Sequence, residues 1–292
     1  MHLYVQAIIL GVLIGGVYAL MSSGLTLVFG IMRVINVAQG AMVILGAYLS
    51  YSLFRSLHID PFLSILLIAP GMFALGVAIH RLFIRTLRAD NAEEMSLLVT
   101  WATALAVEGI LAVTYTTTYR STITSYAQHS WVVGGYRVAE VRVFGFFISV
   151  AILVSLSLLL ARTRFGRSVR ATVQNPTSAK LLGVNADRVS ALGFGIGIAT
   201  AAAAGAVYGM IYPFNPGSHY DLISRTLSIV VLGGLGSLGG AVVASLMLGV
   251  AESVVAVAIS PIWSSMVFFA VLITILVLRP QGLFGVRERG AL

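Results

Sequence analysis

The sequence predicts an all-α, polytopic transmembrane helical bundle of about eight membrane-embedded segments, some of them broken helices. Of its 292 residues, 59% are hydrophobic and 10% are charged, and the mean hydropathy is +0.99. A soluble domain normally carries about a quarter charged residues. The apolar runs are long and show no strand-like alternation, which favours helices over a β-barrel. We therefore expect one transmembrane domain over residues 1–292.

The charge is strongly positive, with 18 basic against 10 acidic residues and a net charge of +8. Lys180 is the only lysine, so the other basic residues are arginines. In a membrane protein this excess is typical of cytoplasmic loops, and no nucleic-acid partner is expected. The chain has no cysteine, which excludes disulfides and cysteine-ligated metal, and no metal site is predicted.

The first apolar run covers residues 4–21 and lacks the basic flank and cleavage site of a signal peptide, so we predict an uncleaved span. Ser22-Ser23-Gly24 is predicted to interrupt it. A second apolar piece, 25–35, ends at Asn36-Val-Ala-Gln-Gly40, and apolar sequence then resumes through Tyr51. Polar amides between two apolar pieces indicate a broken or re-entrant helix, which must line protein or a water-filled cavity.

Apolar runs predict three further spans, at residues 62–83, 95–115 and 144–161. The segment between the second and third of these, residues 116–142, is polar and aromatic and is predicted to be an external loop. Arginine-rich loops at 81–88 and 162–188 are then on the same side of the membrane. By the arginine rule that side is the cytoplasm.

The C-terminal part begins with a small-residue span at 189–212, whose Gly-x-x-x-Gly pairs predict close helix packing. Asp221 and Arg225 are placed in the loop that enters the next segment. The remaining apolar segments are predicted at 226–232, 241–258 and 262–278, with a glycine-rich break at 233–240. The tail carries Arg279, Arg287 and Arg289 and is expected in the cytoplasm.

The basic loop at 162–188 also carries helix punctuation. Asn175 is a good N-cap, Pro176 suits the first helical position, and Gly183 can close the C-terminus in the left-handed conformation. The helix between them has about two turns, so it needs support from the membrane or from another protein. We interpret it as a docking helix. The alternative is a solvated basic loop that sets topology and contacts anionic lipid.

A weak internal repeat appears when the chain is shifted by about 200 residues. Thr26-Leu27 then aligns with Thr226-Leu227, and Gly40 aligns with Gly240. Paired broken segments in two halves are typical of a transport pathway. The pathway predicted from these breaks and from the intramembrane acid that follows comprises Asn36, Gln39, Gly40, Gly233, Gly234, Gly236, Ser237, Gly239, Gly240 and Glu252.

Glu108 and Glu252 are acids within apolar spans. Such residues are costly in a membrane, so they are either functional or satisfied by neighbouring polar groups, and both readings stay open. If they titrate, the chain could be a proton-coupled secondary carrier. The histidines His80, His129 and His219 lie near predicted helix ends or loops and are expected on solvated surface.

Three enzyme functions are excluded because the sequence lacks the surrounding features that each of them needs. The stretch 234–239 fits G-x-G-x-x-G but lacks the strand–helix unit of a dinucleotide site. Ser237 has no later histidine that could act as a base. A nucleotide-binding P-loop is also missing. We predict no catalytic residue and no bound cofactor, so ATP-driven transport would require a separate ATPase subunit.

Four stretches resemble the permease subunits of branched-chain amino-acid ATP-binding-cassette (ABC) importers, in the family's order: 24–40, 164–189, 233–240 and 278–285. The resemblance implies a type II-like importer permease in the bacterial inner membrane. It also implies a second homologous permease, two cytoplasmic ATPase subunits that bind the ATP, a periplasmic substrate-binding protein and contact with membrane lipid. The coupling residues implied by the resemblance are Arg164, Gly166, Arg167, Arg170, Asn175, Pro176, Ala179, Leu182 and Gly183.

One departure from the family pattern bears on the substrate. The family usually has Phe-Ala-His-Gly-Glu after the asparagine, whereas this chain has Val-Ala-Gln-Gly-Ala at 37–41. Members of the family also carry other amino acids, amides, urea and small organic acids. The resemblance therefore leaves the substrate open.

Overall fold

The computed structural model describes residues 2–86, 92–124, 126, 129–278 and 282–284, without the side chains of residues 92, 93, 133 and 176. In this part of the chain, eight helices are long and apolar enough to cross a membrane. The prediction of an all-α polytopic bundle with about eight segments is confirmed. The predicted tail arginines and Arg88 lie outside the described residues.

The described residues form twelve α-helices, in chain order α1 His2–Met32, α2 Gln39–Leu57, α3 Pro61–Ile79, α4 Ala92–Tyr115, α5 Glu140–Arg162, α6 Arg164–Gln174, α7 Pro176–Leu181, α8 Ala186–Ile211, α9 His219–Gly233, α10 Leu238–Ala258, α11 Pro261–Ser264 and α12 Met266–Leu278. A π-helical turn, His80–Ile84, extends α3, and a 3₁₀ turn, Pro216–Ser218, precedes α9. Two short strands, β1 Ser130–Val133 and β2 Tyr136–Ala139, pair as an antiparallel hairpin.

The two ends of the bundle are distinguished by the segments that lie there. At one end the His2 ring packs on Tyr136 of the hairpin. At the other end, Ile31 packs in a cluster with Leu156 and Val169, next to the arginine-rich segments. This second end is cytoplasmic by the arginine rule. The N-terminus therefore lies at the external end, a question that the sequence left open.

Helix α1 is continuous through Ser22-Ser23-Gly24, so the predicted interruption there is wrong. The Ser22 hydroxyl donates to the carbonyl of Ala19 and the Ser23 hydroxyl to that of Leu20. Each polar side chain is satisfied inside its own helix, and the chain has no need to open.

Helix α8 forms the centre of the bundle, and it packs against α1, α2 and α3. Its small residues allow this, as the sequence predicted. A Cβ atom at Gly205 would overlap the carbonyl oxygen of Val43 on α2, and one at Gly197 would lie 2.9 Å from the carbonyl oxygen of Gly24 on α1. These helices therefore touch backbone to backbone.

Two non-helical segments return into the membrane from opposite ends. Residues 33–38 lead from the cytoplasmic end of α1 back to Gln39, whose side chain donates to carbonyls in the middle of α1 and α8. Residues 212–218 lead inward from the external end of α8 to α9. Helix α9 has 15 residues, about 22 Å, and is too short to cross alone. The pairs α1–α2 and α8–α9 thus each consist of a spanning helix followed by a segment that re-enters the membrane, and the two pairs run in opposite directions.

Both predicted breaks interrupt helices, but only the first lies within the membrane. Residues 233–240 form the turn between α9 and α10 at the cytoplasmic end, where Gly234 and Gly236 adopt positive φ. A Cβ at Gly240 would overlap the Gly233 carbonyl, so glycines let the two helices meet closely. The 200-residue shift aligned this turn with a break because both are glycine-containing interruptions of apolar sequence.

The external loop is fixed by polar contacts. Asp60 caps α3 by accepting a hydrogen bond from the Phe62 backbone, and its other oxygen accepts one from the Tyr126 hydroxyl at 2.6 Å. Burial and this hydrogen bond raise the pKa of Tyr126, so the hydroxyl stays protonated and keeps donating. Arg120 forms a β-bridge with Phe214, which joins the loop to the second re-entrant segment.

Candidate functional site

The N-terminal ends of α2 and of the short helix α9 meet inside the membrane. Gly40 provides the space for this crossing, because a Cβ there would collide with the backbone of His219 and Ile223. Two segments of non-helical backbone thereby reach the same depth, and such backbone is tolerated in a membrane only within protein or beside water. This junction is the first candidate site.

Asn36 and Gln39, predicted for the pathway, are fully buried at this junction. The Asn36 amide donates to Gln39 Oε1 at 3.3 Å. Gln39 Nε2 donates to the carbonyls of Met21 and Gly197, at 3.2 and 3.3 Å. The two amides therefore tie the re-entrant segment to α1 and α8, and they present no polar surface to a solute.

The exposed polar surface at this depth is formed by Glu108 and the start of α9. Glu108 Oε2 lies 3.0 Å from His219 Nε2 and accepts a hydrogen bond from the Tyr220 hydroxyl at 3.0 Å. The Glu108 side chain is 26% exposed, and Tyr220 and Asp221 are 42% and 43% exposed. Glu108 lies about 10 Å inside the external end of α4. A carboxylate exposed there is too costly against lipid, so this face borders water or another protein.

Glu252 is not part of that exposed surface. It is buried and forms an ion pair with Arg225, and it also accepts a hydrogen bond from the Tyr18 hydroxyl at 2.8 Å. Arg225 additionally donates to Asp221 at 2.7 Å and to Ser265 at 2.9 Å. Arg225 therefore lies inside α9 rather than in an entrance loop, and the network links α9 to α1, α10 and the start of α12.

The glycine turn at the cytoplasmic end contains six of the predicted pathway residues: Gly233, Gly234, Gly236, Ser237, Gly239 and Gly240. Ser237 caps α10 by accepting a hydrogen bond from the Gly240 backbone at 3.1 Å. The predicted pathway set thus divides among the junction, the buried Glu252 network and this turn. The structure does not bring these three groups together.

The cytoplasmic loop contains two capped helices. Asn175 caps α7 by accepting a hydrogen bond from Ser178, and Gly183 has φ +83°, as predicted. Helix α6 was not predicted, although Thr163 caps it through the Gly166 backbone at 3.2 Å. Gly166, Val169 and Thr172 form the buried face of α6. Because the segment is rich in arginine, its sequence suggested a loop. A cavity of about 300 Å³ lies between this face and the cytoplasmic end of α1.

Helix α7 presents apolar side chains to the cytoplasm. Leu181 and Leu182 are 85% and 83% exposed, whereas Ala179 on the same helix is buried. The predicted coupling residues Arg164, Arg167 and Arg170 are exposed on α6. The two helices therefore combine an arginine-rich surface with two unprotected leucines.

Sequence reasoning missed His219 and Tyr220, and it placed Asp221 and Arg225 in a loop. The i, i+4 spacing of Asp221 and Arg225 is a helical ion-pair signal that could have extended α9 toward its true start. His80 and His219 are buried, so the expectation of solvated surface is wrong for both, while His129 is exposed. His219 is buried because the start of α9 packs against α2.

A polytopic bundle in which the re-entrant starts of α2 and α9 meet within the membrane, beside an exposed polar face, has the architecture of a membrane permease. Residues 7–276 match the family described as branched-chain amino acid transport system / permease component. The chain belongs to this family, as predicted, and it is the permease subunit of an ABC importer in the inner membrane.

Relatives cover nearly the whole chain. The high-affinity branched-chain amino acid transport system permease protein LivH of Salmonella typhimurium is 32% identical over 97% of this chain and 96% of its own length. BraD, a permease protein of the same description from Pseudomonas aeruginosa, is 30% identical over 97% and 96%. The solved structure of PsaBC from Streptococcus pneumoniae in complex with Fab matches with a TM-score of 0.50 at 10% identity, over 96% of this chain and 93% of that one. This last likeness concerns the fold alone.

Proposed function

We propose that this permease translocates branched-chain or related amino acids together with a second homologous permease. Two cytoplasmic ATPase subunits bind and hydrolyse ATP, and a periplasmic substrate-binding protein delivers the solute. The chain itself performs no catalysis and binds no cofactor. The names of the LivH and BraD relatives support the substrate class.

The observation that carries the ATPase partnership is the pair of leucines on α7. Each leucine would gain about 1.5–3 kcal/mol from burial, so a helix that leaves both in water is poorly stable by itself. Its caps, the buried Ala179 and its contacts with α6 and α8 hold it in shape. A cytoplasmic subunit that covers Leu181 and Leu182 would stabilise the helix and couple its movements to those of the subunit.

The translocation pathway runs past the junction of α2 and α9. In this proposal the exposed face of Glu108, Tyr220 and Asp221 borders the solute path, with the second permease on the opposite side. The buried pair Asn36 and Gln39 keeps the re-entrant segment in place. The glycine turn at 233–240 lies at the cytoplasmic exit and allows α9 to move against α10.

A proton-coupled carrier is the alternative, and the match to transport-system permease components does not favour it. Glu252 is paired with Arg225, and Glu108 is held by His219 and Tyr220. Uptake by this chain alone that stops with an uncoupler, and continues without ATP, would support the carrier instead.

The docking helix is tested with the double variant Leu181→Ser/Leu182→Ser. Loss of two leucines that the ATPase subunit would bury is expected to weaken association with the ATPase subunits at least about tenfold. Co-purification and ATP-dependent leucine uptake in proteoliposomes measure the effect. The matched control is Leu57→Ser/Leu63→Ser, which removes two exposed leucines near the external end. Unchanged association of the α7 variant would contradict the docking role.

A further inference from the structure

Three side chains from two helices form one surface beside the junction. Trp101 and Glu108 lie on α4, and Tyr220 lies at the start of α9. The Trp101 and Tyr220 rings have centroids 6.0 Å apart, and Tyr220 bonds to Glu108 at 3.0 Å. Trp101 is 43% exposed, like Tyr220, so both rings and the carboxylate can be reached from the same side.

The Glu108 carboxylate keeps one oxygen for a ligand. Both of its hydrogen bonds among the described residues end on Oε2. Oε1 lies beside Gly217, where an added Cβ atom would stand 3.9 Å from it. The same atom would lie 3.6 Å from Asn215 Oδ1, so a larger side chain at residue 217 would crowd the approach to Oε1.

The surrounding groups leave the negative charge of Glu108 available. Arg225 is bonded to Glu252, Asp221, Tyr18 and Ser265, none of which contacts Glu108. Of the two carboxylate oxygens, the His219 imidazole contacts Oε2. A carboxylate bonded to the exposed Tyr220, whose ring packs on that of Trp101, offers the negative charge and aromatic surface that bind a primary ammonium group.

We infer that Glu108, with Trp101 and Tyr220, contacts the primary ammonium group of the solute during its passage. The inference rests on the proposed transport of amino acids and deepens it. Among the solutes that the family resemblance left open, this contact favours those with an ammonium group over amides, urea and organic acids. His219 is a positioning residue, because its bond to Oε2 orients the carboxylate.

The test measures binding of radiolabelled L-leucine to the permease–ATPase complex in nanodiscs without binding protein. Two competitors share the leucine skeleton: 3-methylbutylamine has only the ammonium group and 4-methylpentanoate has only the carboxylate. The amine is expected to displace leucine, and the acid is not. Glu108→Gln is expected to weaken leucine binding ~10- to 100-fold, with partial recovery in Glu108→Asp. Glu140→Gln, on a carboxylate at the external end of α5, is the matched control with unchanged binding.

A second variant keeps the test informative if Glu108→Gln folds poorly. Gly217→Leu crowds the approach to Oε1 while the carboxylate remains, and it is expected to weaken leucine binding at least about tenfold. Equal displacement by the acid and the amine, or unchanged leucine affinity in both variants, overturns the inference. If the inference fails in this way but the wild-type transporter still takes up leucine with ATP, the proposed function stands. A wild-type complex without ATP-driven leucine uptake would refute the proposed function itself.

Discussion

Arg225 retains its positive charge inside the membrane because polar groups from three other parts of the chain surround it. Glu252 and Tyr18 approach from α10 and α1, Ser265 precedes α12, and Asp221 lies one turn earlier on α9. The guanidinium also lies over the Phe268 ring, 4.9 Å from its centroid. Such a buried pair is expensive to break, because the remaining charge has no solvent to receive it.

We expect Arg225→Leu and Glu252→Leu each to destabilise the protein by about 3–5 kcal/mol, since each leaves an uncompensated buried partner. The double variant Arg225→Leu/Glu252→Leu should lose less than the sum of the single variants. Thermal unfolding in detergent measures these changes. Arg167→Leu, an exposed arginine on α6, should stay within about 0.5 kcal/mol of wild type. Additive losses in the double variant would show that Arg225 and Glu252 do not act as a pair.

At the scale of elements, close helix packing determines where α2 and α9 lie. Helix α2 approaches α8 through Gly46 and Gly205, and each would collide with the partner backbone if it carried a Cβ. The same contact holds the start of α2 at mid-membrane depth, opposite Gly197. The position of the junction therefore depends on small residues far from the polar groups.

Gly205→Val is expected to force α2 away from α8 and to cost about 1–3 kcal/mol or more, because the collision is with the main chain of Val43. Leucine uptake should fall with it, since the junction moves. The control is Gly71→Val, where an added Cβ meets nothing within 4 Å. Thermal unfolding and leucine uptake are measured for both variants. A Gly205→Val protein as stable as the Gly71→Val protein would contradict the packing argument.

At the scale of the whole molecule, the orientation makes a direct prediction. The chain has no cysteine, so single-cysteine variants carry one thiol each. Thr118→Cys and His2→Cys are expected to react with a membrane-impermeant maleimide from the outside of intact cells. Lys180→Cys on α7 should react only after permeabilisation. Labelling of residue 180 in intact cells would reverse the topology and would exclude ATPase docking on α7.

Much of the architecture follows from local sequence chemistry. Apolar length predicted about eight membrane-embedded segments, and the arginine-rich loops predicted the cytoplasmic side, although the side of the N-terminus stayed open. Asn175 and Gly183 predicted the ends of α7. These features act over a few residues, so a linear reading captures them. The same reading failed at Ser22 and Ser23, because a serine in a membrane helix can bond within its own turn. The predicted single domain over 1–292 stays a prediction.

The candidate site depended on contacts that the sequence could not supply. Glu108 meets His219 across 111 residues, and Tyr18 meets Glu252 across 234. Composition could show that an acid lies in an apolar span, but its partner is selected by how the helices pack. The second re-entrant segment was missed for the same reason, since a glycine turn and a membrane break look alike in sequence. Local chemistry thus determined that the chain spans the membrane and carries a capped cytoplasmic helix, and packing alone decided which polar groups remain exposed inside the membrane.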